Sequence, residues 1–336
     1  MTSTRIVYHD DEEPGITRRT MRHGWGYFDP AGNRITDREE IDRLNSIGLP
    51  PAYRDAWFCP DPLGHIQAVG WDERGRKQYR YHPEFRAARE DEKYNLCASF
   101  GRSLPKLRER VEQDLKSRRH SKEKTIAAIV KLLDTAHLRI GNETYAKSNK
   151  SFGVTTLRDR HAQIKGSTLR LQYRAKSGKL RMLTITDGSL ARFVKKCQDL
   201  PGQKLFQYVD EAGEPRPVTS SDVNAYIKAA MKGDFTAKHF RTWGASVIAF
   251  ETLAQADKAI SLKTLLAPVT ERLGNTPAIA RKSYVHPALI ALIKDGQEAF
   301  RSSLHLPRST RWLSRAERGL IAFLETGENG TARQAA

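Results

Sequence analysis

Residues 56–81 read AWFCPDPLGHIQAVGWDERGRKQYRY, and this stretch decides the first part of the fold. Ala56–Cys59, His65–Gly70 and Lys77–Tyr81 are short β-prone runs. Between them lie Pro60-Asp61-Pro62-Leu63-Gly64 and Trp71-Asp72-Glu73-Arg74-Gly75, both turn sequences. Short runs split at close spacing by Gly, Pro and Asp predict an antiparallel sheet. Upstream, Arg38–Asn45 reads as a short helix between strands. Gly24-Trp25-Gly26 has no strand–helix frame around it and reads as turn sequence.

From about Glu84 the period changes. Phe85–Arg89 and Asp91–Leu115 carry few breakers, and Ser121–Leu138 is the clearest helix, with Ile126, Ile129, Val130 and Leu133 at offsets of three and four and Gly141 as a stop. Ser221–Met231 follows the same rule, with Ser221 as a cap candidate and Gly233 as its end. Phe240–Leu253 repeats it, and Leu262–Leu273 stops at Gly274. Thr276-Pro277 then reads as an N-cap followed by Pro at the first helical position. Two strand-like runs, Thr168–Tyr173 and Leu180–Ile185, flank the cationic turn Arg174-Ala175-Lys176-Ser177-Gly178-Lys179 and predict a hairpin inside the helical region. The expected organisation is α+β: an N-terminal antiparallel β-sheet lobe over 1–88, a mainly helical lobe over 89–325 and a disordered Gly-rich tail over 326–336.

At 336 residues the chain has room for two cores at ~150 residues per domain. Lys and Arg number 57 against 39 Asp and Glu, a formal net charge of +18. Such an excess points to a polyanionic partner, nucleic acid by default, rather than to a fold. The three cysteines, Cys59, Cys97 and Cys197, form no CxxC pair and are odd in number, so a disulfide scaffold and a zinc finger are both excluded. A reducing cytoplasm is expected. The N-terminus has no apolar signal core, and no apolar run approaches the ~20 residues of a membrane span. There is no GxxxxGK[ST] phosphate loop and no HExxH or paired Cys/His set, so neither ATP use nor a metal centre is expected.

Cations near one late tyrosine remain. Taken singly, each has a plain structural reading. Arg139, in Leu138-Arg139-Ile140-Gly141, reads as a cation at a helix C-terminus. Lys176 reads as a solubilising turn lysine. Lys238 and Arg241, one helical turn apart in Lys238-His239-Phe240-Arg241-Thr242-Trp243-Gly244, read as a solvated basic face. Asn275 reads as cap chemistry, and Tyr284 as a core tyrosine.

Together, and in this order, these segments resemble the type IB DNA topoisomerases, in the small poxvirus-like and bacterial branch. The resemblance extends over nearly the whole chain, and Gln78-Tyr79-Arg80-Tyr81 looks like that branch's DNA-contacting strand. The resemblance implies a clamp of two lobes around duplex DNA. It implies that Tyr284 attacks a backbone phosphorus to give a 3′-phosphotyrosyl link and a free 5′-hydroxyl. Arg139 and Arg241 would then hold the non-bridging oxygens. Guanidinium suits that role because it donates two parallel hydrogen bonds and stays charged. Lys176 would protonate the leaving 5′ oxygen, with Lys179 on the same turn as the other candidate. Asn275 stands where poxvirus and nuclear members usually carry His, and bacterial members are known with Asn. Gln78, Tyr79, Tyr81, Asn142 and Tyr145 match DNA-facing positions. Lys238 and Thr156 match positions that contact phosphate or the active-site framework.

No cofactor is implied, because the phosphoester energy is kept in the covalent intermediate. The implied partner is supercoiled duplex DNA, acted on by a monomer associated with the nucleoid. A tyrosine recombinase would share the Arg, Lys, Arg and Tyr chemistry. It typically carries His-x-x-Arg on the central helix, where this chain has Lys238, and its N-terminal half is usually helical. A non-catalytic basic nucleic-acid-binding protein would satisfy the charge equally well.

Overall fold

The computed structural model of the protein describes residues 5–334 apart from residue 23, with side chains as far as residue 326. The chain divides into two compact units, Met1–Glu92 and Lys93–Ala336. The division falls inside one long helix rather than in a linker.

The first unit holds strands β1 (Ile16–Met21) and β2 (Gly24–Phe28), helix α1 (Arg38–Ser46), and strands β3 (Arg54–Phe58), β4 (Ile66–Trp71) and β5 (Lys77–Tyr81). The strands form one sheet in the order β2-β1-β3-β4-β5, and every neighbouring pair is antiparallel. α1 starts at Asp37, whose carboxylate accepts the Glu39 and Glu40 amides. It buries Leu44 against a core of Ile16, Tyr27, Ala56, Phe58 and Ala68 from the sheet. Gly24-Trp25-Gly26, expected as turn, is the start of β2, with Thr20 opposite Trp25 and Arg18 opposite Tyr27. Two glycines without side chains erased the alternation that marks a strand.

Helix α2 (Pro83–Lys116) leads into the second unit, which continues with α3 (Lys122–Ala136), α4 (Glu143–Asn149), β6 (Ala162–Lys165), β7 (Thr168–Arg174), β8 (Leu180–Thr186), α5 (Gly188–Gln198), β9 (Gln207–Val209), β10 (Pro215–Pro217), α6 (Ser220–Met231), α7 (His239–Ala254), α8 (Leu262–Leu273), α9 (Pro277–Ser283), α10 (Pro287–Ala291), α11 (Gln297–Ser303) and α12 (Arg315–Gln334). α3 is buried around its whole circumference, Ile126 through Val130 with Leu132 and Leu133, as a central helix must be. It ends earlier than Leu138, because His137 adopts the left-handed conformation as its C-cap. β6, β7 and β8 form a three-stranded antiparallel sheet, with the hairpin tip between the last two. α6 is capped by Thr219, in a reciprocal box with Asp222, and not by Ser221. α8 closes at Gly274, which takes a φ of 67°. α9 opens with Thr276 as N-cap and Pro277 behind it.

The expected tail is helix as far as Gln334, while 335 and 336 lie outside the described residues. The reason is local. Ser314 and Glu317 exchange backbone and side-chain hydrogen bonds of 2.8 and 3.1 Å at the helix start. Once a turn is nucleated, extending it costs little. No helix among the described residues is long and apolar enough to cross a membrane.

Candidate active site

Arg139 follows α3 on a non-helical segment, so it is not a cation on the end of that helix. Backbone pairing holds it, with the Val154 and Thr155 amides donating to the Arg139 and Ile140 carbonyls at 2.9 and 2.8 Å. The two segments cross at glycine. A Cβ on Gly153 would lie 2.5 Å from the Gly141 nitrogen and 2.6 Å from the Arg139 oxygen. Gly141 itself has a φ of 107°, a region open mainly to glycine.

Arg241, in the first turn of α7, is 4% exposed rather than part of a solvated face. One Nη donates to the His137 carbonyl. The other donates to the Leu273 carbonyl and to Asn275 Oδ1, both at 3.1 Å. Arg139 Nη2 donates to the same Asn275 oxygen at 2.7 Å. Guanidinium has no acceptor, so the Asn275 amide must turn its oxygen to both arginines and its NH2 away. That NH2 is buried without a hydrogen-bond partner, as is Arg241 Nε. Buried donors left over in a cationic recess call for an acceptor from outside the chain.

Burial, and then the like charge of Arg139, push the Arg241 guanidinium down to about 10. The ring of Tyr284 lies 4.8 Å from the Arg241 guanidinium carbon. Burial pushes the Tyr284 phenol up, but the charges of Arg241 and Arg139 outweigh it, and the net shift is downward. A phenol so placed gives up its proton more readily than one in water.

Lys176 and Lys179 sit at the β7–β8 tip, where the Ala175 amide donates to the Lys179 carbonyl at 2.8 Å and Ser177 takes a φ of 64°. Both lysines are exposed. Both line a cavity of about 250 Å³ together with Arg139, Arg241, Asn275 and Arg181.

Arg181 was not among the sequence candidates. It donates to the Glu271 carbonyl at 3.2 Å and to the Arg272 carbonyl, so it holds the last turn of α8 just before Gly274 and Asn275. The signal was present in the alternation of β8. Arg181 shares a strand face with Leu183 and Ile185, while Leu180 and Met182 are exposed on the other. A cation on the inward face of a strand needs a partner.

The expected DNA contacts scatter more widely. Lys238 is exposed at the start of α7. Asn142 caps α4, accepting the Tyr145 amide at 3.1 Å, and Tyr145 is 44% exposed. Thr156, expected at phosphate or at the active-site framework, is buried in that framework. Its hydroxyl accepts the Gly153 amide at 2.9 Å and donates to the Gly153 carbonyl at 3.1 Å, which braces the glycine crossing under Arg139. Gln78, Tyr79 and Tyr81 belong to the first unit, on β5. Gln78 donates to Asp72 at 3.1 Å. The Tyr79 and Tyr81 rings are stacked, 5.9 Å apart at 12°.

Residues 82–295, more than half of the chain, match the model of the eukaryotic DNA topoisomerase I catalytic core. Residues 24–72 match the model of the bacterial DNA topoisomerase IB N-terminal domain. The chain is 32% identical over 300 residues to a DNA topoisomerase 1B of Acanthamoeba polyphaga mimivirus, covering 85% of this chain and 89% of that protein. It is 22% identical over 257 residues to the DNA topoisomerase 1B of Vaccinia virus, covering 72% of this chain and 76% of that protein. Among solved structures, the XerH site-specific recombinase bound to its difH substrate aligns at a TM-score of 0.37 and 16% identity, over 55% of this chain and 49% of that one.

Proposed function

This chain belongs to the type IB DNA topoisomerases, and on that premise we propose that Tyr284 is the nucleophile of its strand transfer. The observation that carries the reading is the convergence of Arg139 and Arg241 on one oxygen of Asn275, with the Tyr284 ring stacked on Arg241. Two guanidiniums and an unpartnered NH2 form a pre-arranged cradle for a phosphate whose negative charge grows during attack. The phenolic oxygen of Tyr284 forms a bond to phosphorus as the bond to the 5′ oxygen breaks. The electron pair leaves on that oxygen, and Lys176 Nζ supplies its proton; the phenolic proton passes to solvent. Religation is the reverse, with the 5′-hydroxyl as nucleophile. The phosphoester is conserved throughout as the phosphotyrosyl bond, so the cycle as written draws on no nucleotide energy.

The partner we propose is supercoiled duplex DNA, handled by a monomer in the cytoplasm of a bacterium, on its nucleoid. The net charge of +18 supports a polyanionic partner. The exposed Tyr81, Tyr145 and Lys238 supply surface groups for it. The test is plasmid relaxation without ATP or Mg²⁺, with Tyr284→Phe beside the natural protein. We expect Tyr284→Phe to bind duplex and neither cleave nor relax it. Relaxation by Tyr284→Phe at the natural rate would assign the nucleophile elsewhere.

A further inference from the structure

We infer that Lys93 and Tyr94 of α2 are positioning residues for the nucleophile, holding the end of α9 from which Tyr284 projects. The inference rests on Tyr284 as the attacking group. α9 is seven residues long, Pro277–Ser283, and Tyr284 is its C-cap. A helix that short does not hold its own end, and its last carbonyls have no partner within the helix. Here they are taken from outside. Tyr94 Oη donates to the Lys282 carbonyl at 3.2 Å, and Lys93 Nζ donates to the Ser283 carbonyl at 3.1 Å. On the far side of Tyr284, Ser246 of α7 accepts the His286 amide at 3.0 Å. The peptide group before the nucleophile and the one between Val285 and His286 are therefore both gripped.

The choice of residues argues for more than packing. Lys93 is 8% exposed and Tyr94 7%. The Lys93 ammonium lies 3.9 Å from the Tyr94 ring centroid, and that ring meets His286 edge-on at 5.4 Å. Burying an ammonium is expensive, and an apolar side chain would fill the space at lower cost. What the lysine adds is a charged donor aimed at the carbonyl adjacent to Tyr284, at a helix end where the dipole favours a cation. In-line attack is sensitive to small displacements, and a shift of about 1 Å can cost on the order of a hundredfold in rate.

The test uses the full chain carrying Lys93→Met, Lys93→Arg or Tyr94→Phe. Three quantities are measured: single-turnover formation of the covalent complex on a duplex, duplex affinity in a Tyr284→Phe background, and melting temperature. We expect Lys93→Met and Tyr94→Phe to slow covalent-complex formation by roughly ten- to a hundredfold. Duplex affinity should stay within about twofold, and Lys93→Arg should recover most of the rate. Natural rates per folded molecule in both variants would overturn the inference, as would losses that merely track the folded fraction. Should Lys93→Met not fold, Tyr94→Phe, which loses only a hydroxyl, decides alone. Cleavage persisting in Tyr284→Phe with its single substitution would overturn the nucleophile assignment instead, so the two failures are distinct.

Discussion

Replacing Asn275 by Asp keeps the side chain's shape and exchanges its NH2 for a second oxygen. The structure gives the two ends of this amide different work. Its oxygen accepts from Arg139 at 2.7 Å and from Arg241 at 3.1 Å, and an Asp carboxylate would accept both more strongly. Its NH2 is buried without a partner, and that donor would be lost. Losing one pre-arranged donor to a developing anion costs roughly 2.7–4 kcal/mol, about a hundred- to a thousandfold in rate. The new charge would also face the phosphate. Two unit charges ~4 Å apart repel by about 4 kcal/mol at the effective dielectric of a partly wet site. The neighbouring arginines offset part of that. We therefore expect cleavage at least about a thousandfold slower, with a melting temperature equal to or above that of the natural protein. The assay is single-turnover covalent-complex formation near neutral pH, beside a thermal melt. Asn275→Asp within tenfold of the natural rate would refute the placement of the NH2 toward the phosphate. A variant that loses activity because it no longer folds would assign Asn275 to the turn instead. Asn275→His should fold, bind duplex and stay within a modest factor of the natural rate, because a neutral imidazole offers one acceptor and one donor.

Lys176→Ala should be slow on an ordinary phosphodiester and recover when the leaving oxygen is sulfur, since a thiolate needs no proton; equal defects on both substrates would move the acid role to Lys179 or to water. Gly153→Ala should lower the urea midpoint by the equivalent of roughly 1–3 kcal/mol and slow cleavage, because the added Cβ meets backbone at 2.5 and 2.6 Å under Arg139; natural stability and rate would show that the two segments separate freely. Acid should destabilise the fold early. His137 and His286 are each pushed down to about 4, chiefly by burial, so both stay neutral in the fold while the unfolded chain takes up protons below its ordinary value of 6.5. Stability contributed by their neutral forms is intact above 6.5 and falls with pH down to about 4. The slope is roughly 1.4 kcal/mol per pH unit for each group. Urea titrations across that window check it, and a flat response would mean the imidazoles are accessible to protons in the folded state.

The sequence alone determined what short-range periodicity can encode. The runs of residues 56–81 became β3, β4 and β5. The three-and-four spacing of Ile126 to Leu133 became α3. Gly274 and Thr276-Pro277 ended one helix and began the next. The order of Arg139, Lys176, Arg241, Asn275 and Tyr284 carried the family resemblance, because each residue type was legible where it stood. Tertiary structure alone decided how those groups face one another. Arg241, taken singly, read as a surface cation, yet it is buried, since its guanidinium replaces water with the His137 and Leu273 carbonyls and the Asn275 oxygen. Thr156 read as a contact to phosphate or to the active-site framework, and it braces a backbone crossing of that framework. Lys93 and Tyr94 did not stand out, and Arg181 only through the alternation of β8, because what they hold is main chain far away in sequence. The bond that makes the cradle joins Arg139 to Asn275 across 136 positions. A pattern with a period of two or 3.6 residues fixes which face of an element is apolar. It says nothing about which distant carbonyl will meet a given donor, and that is settled only when the core closes.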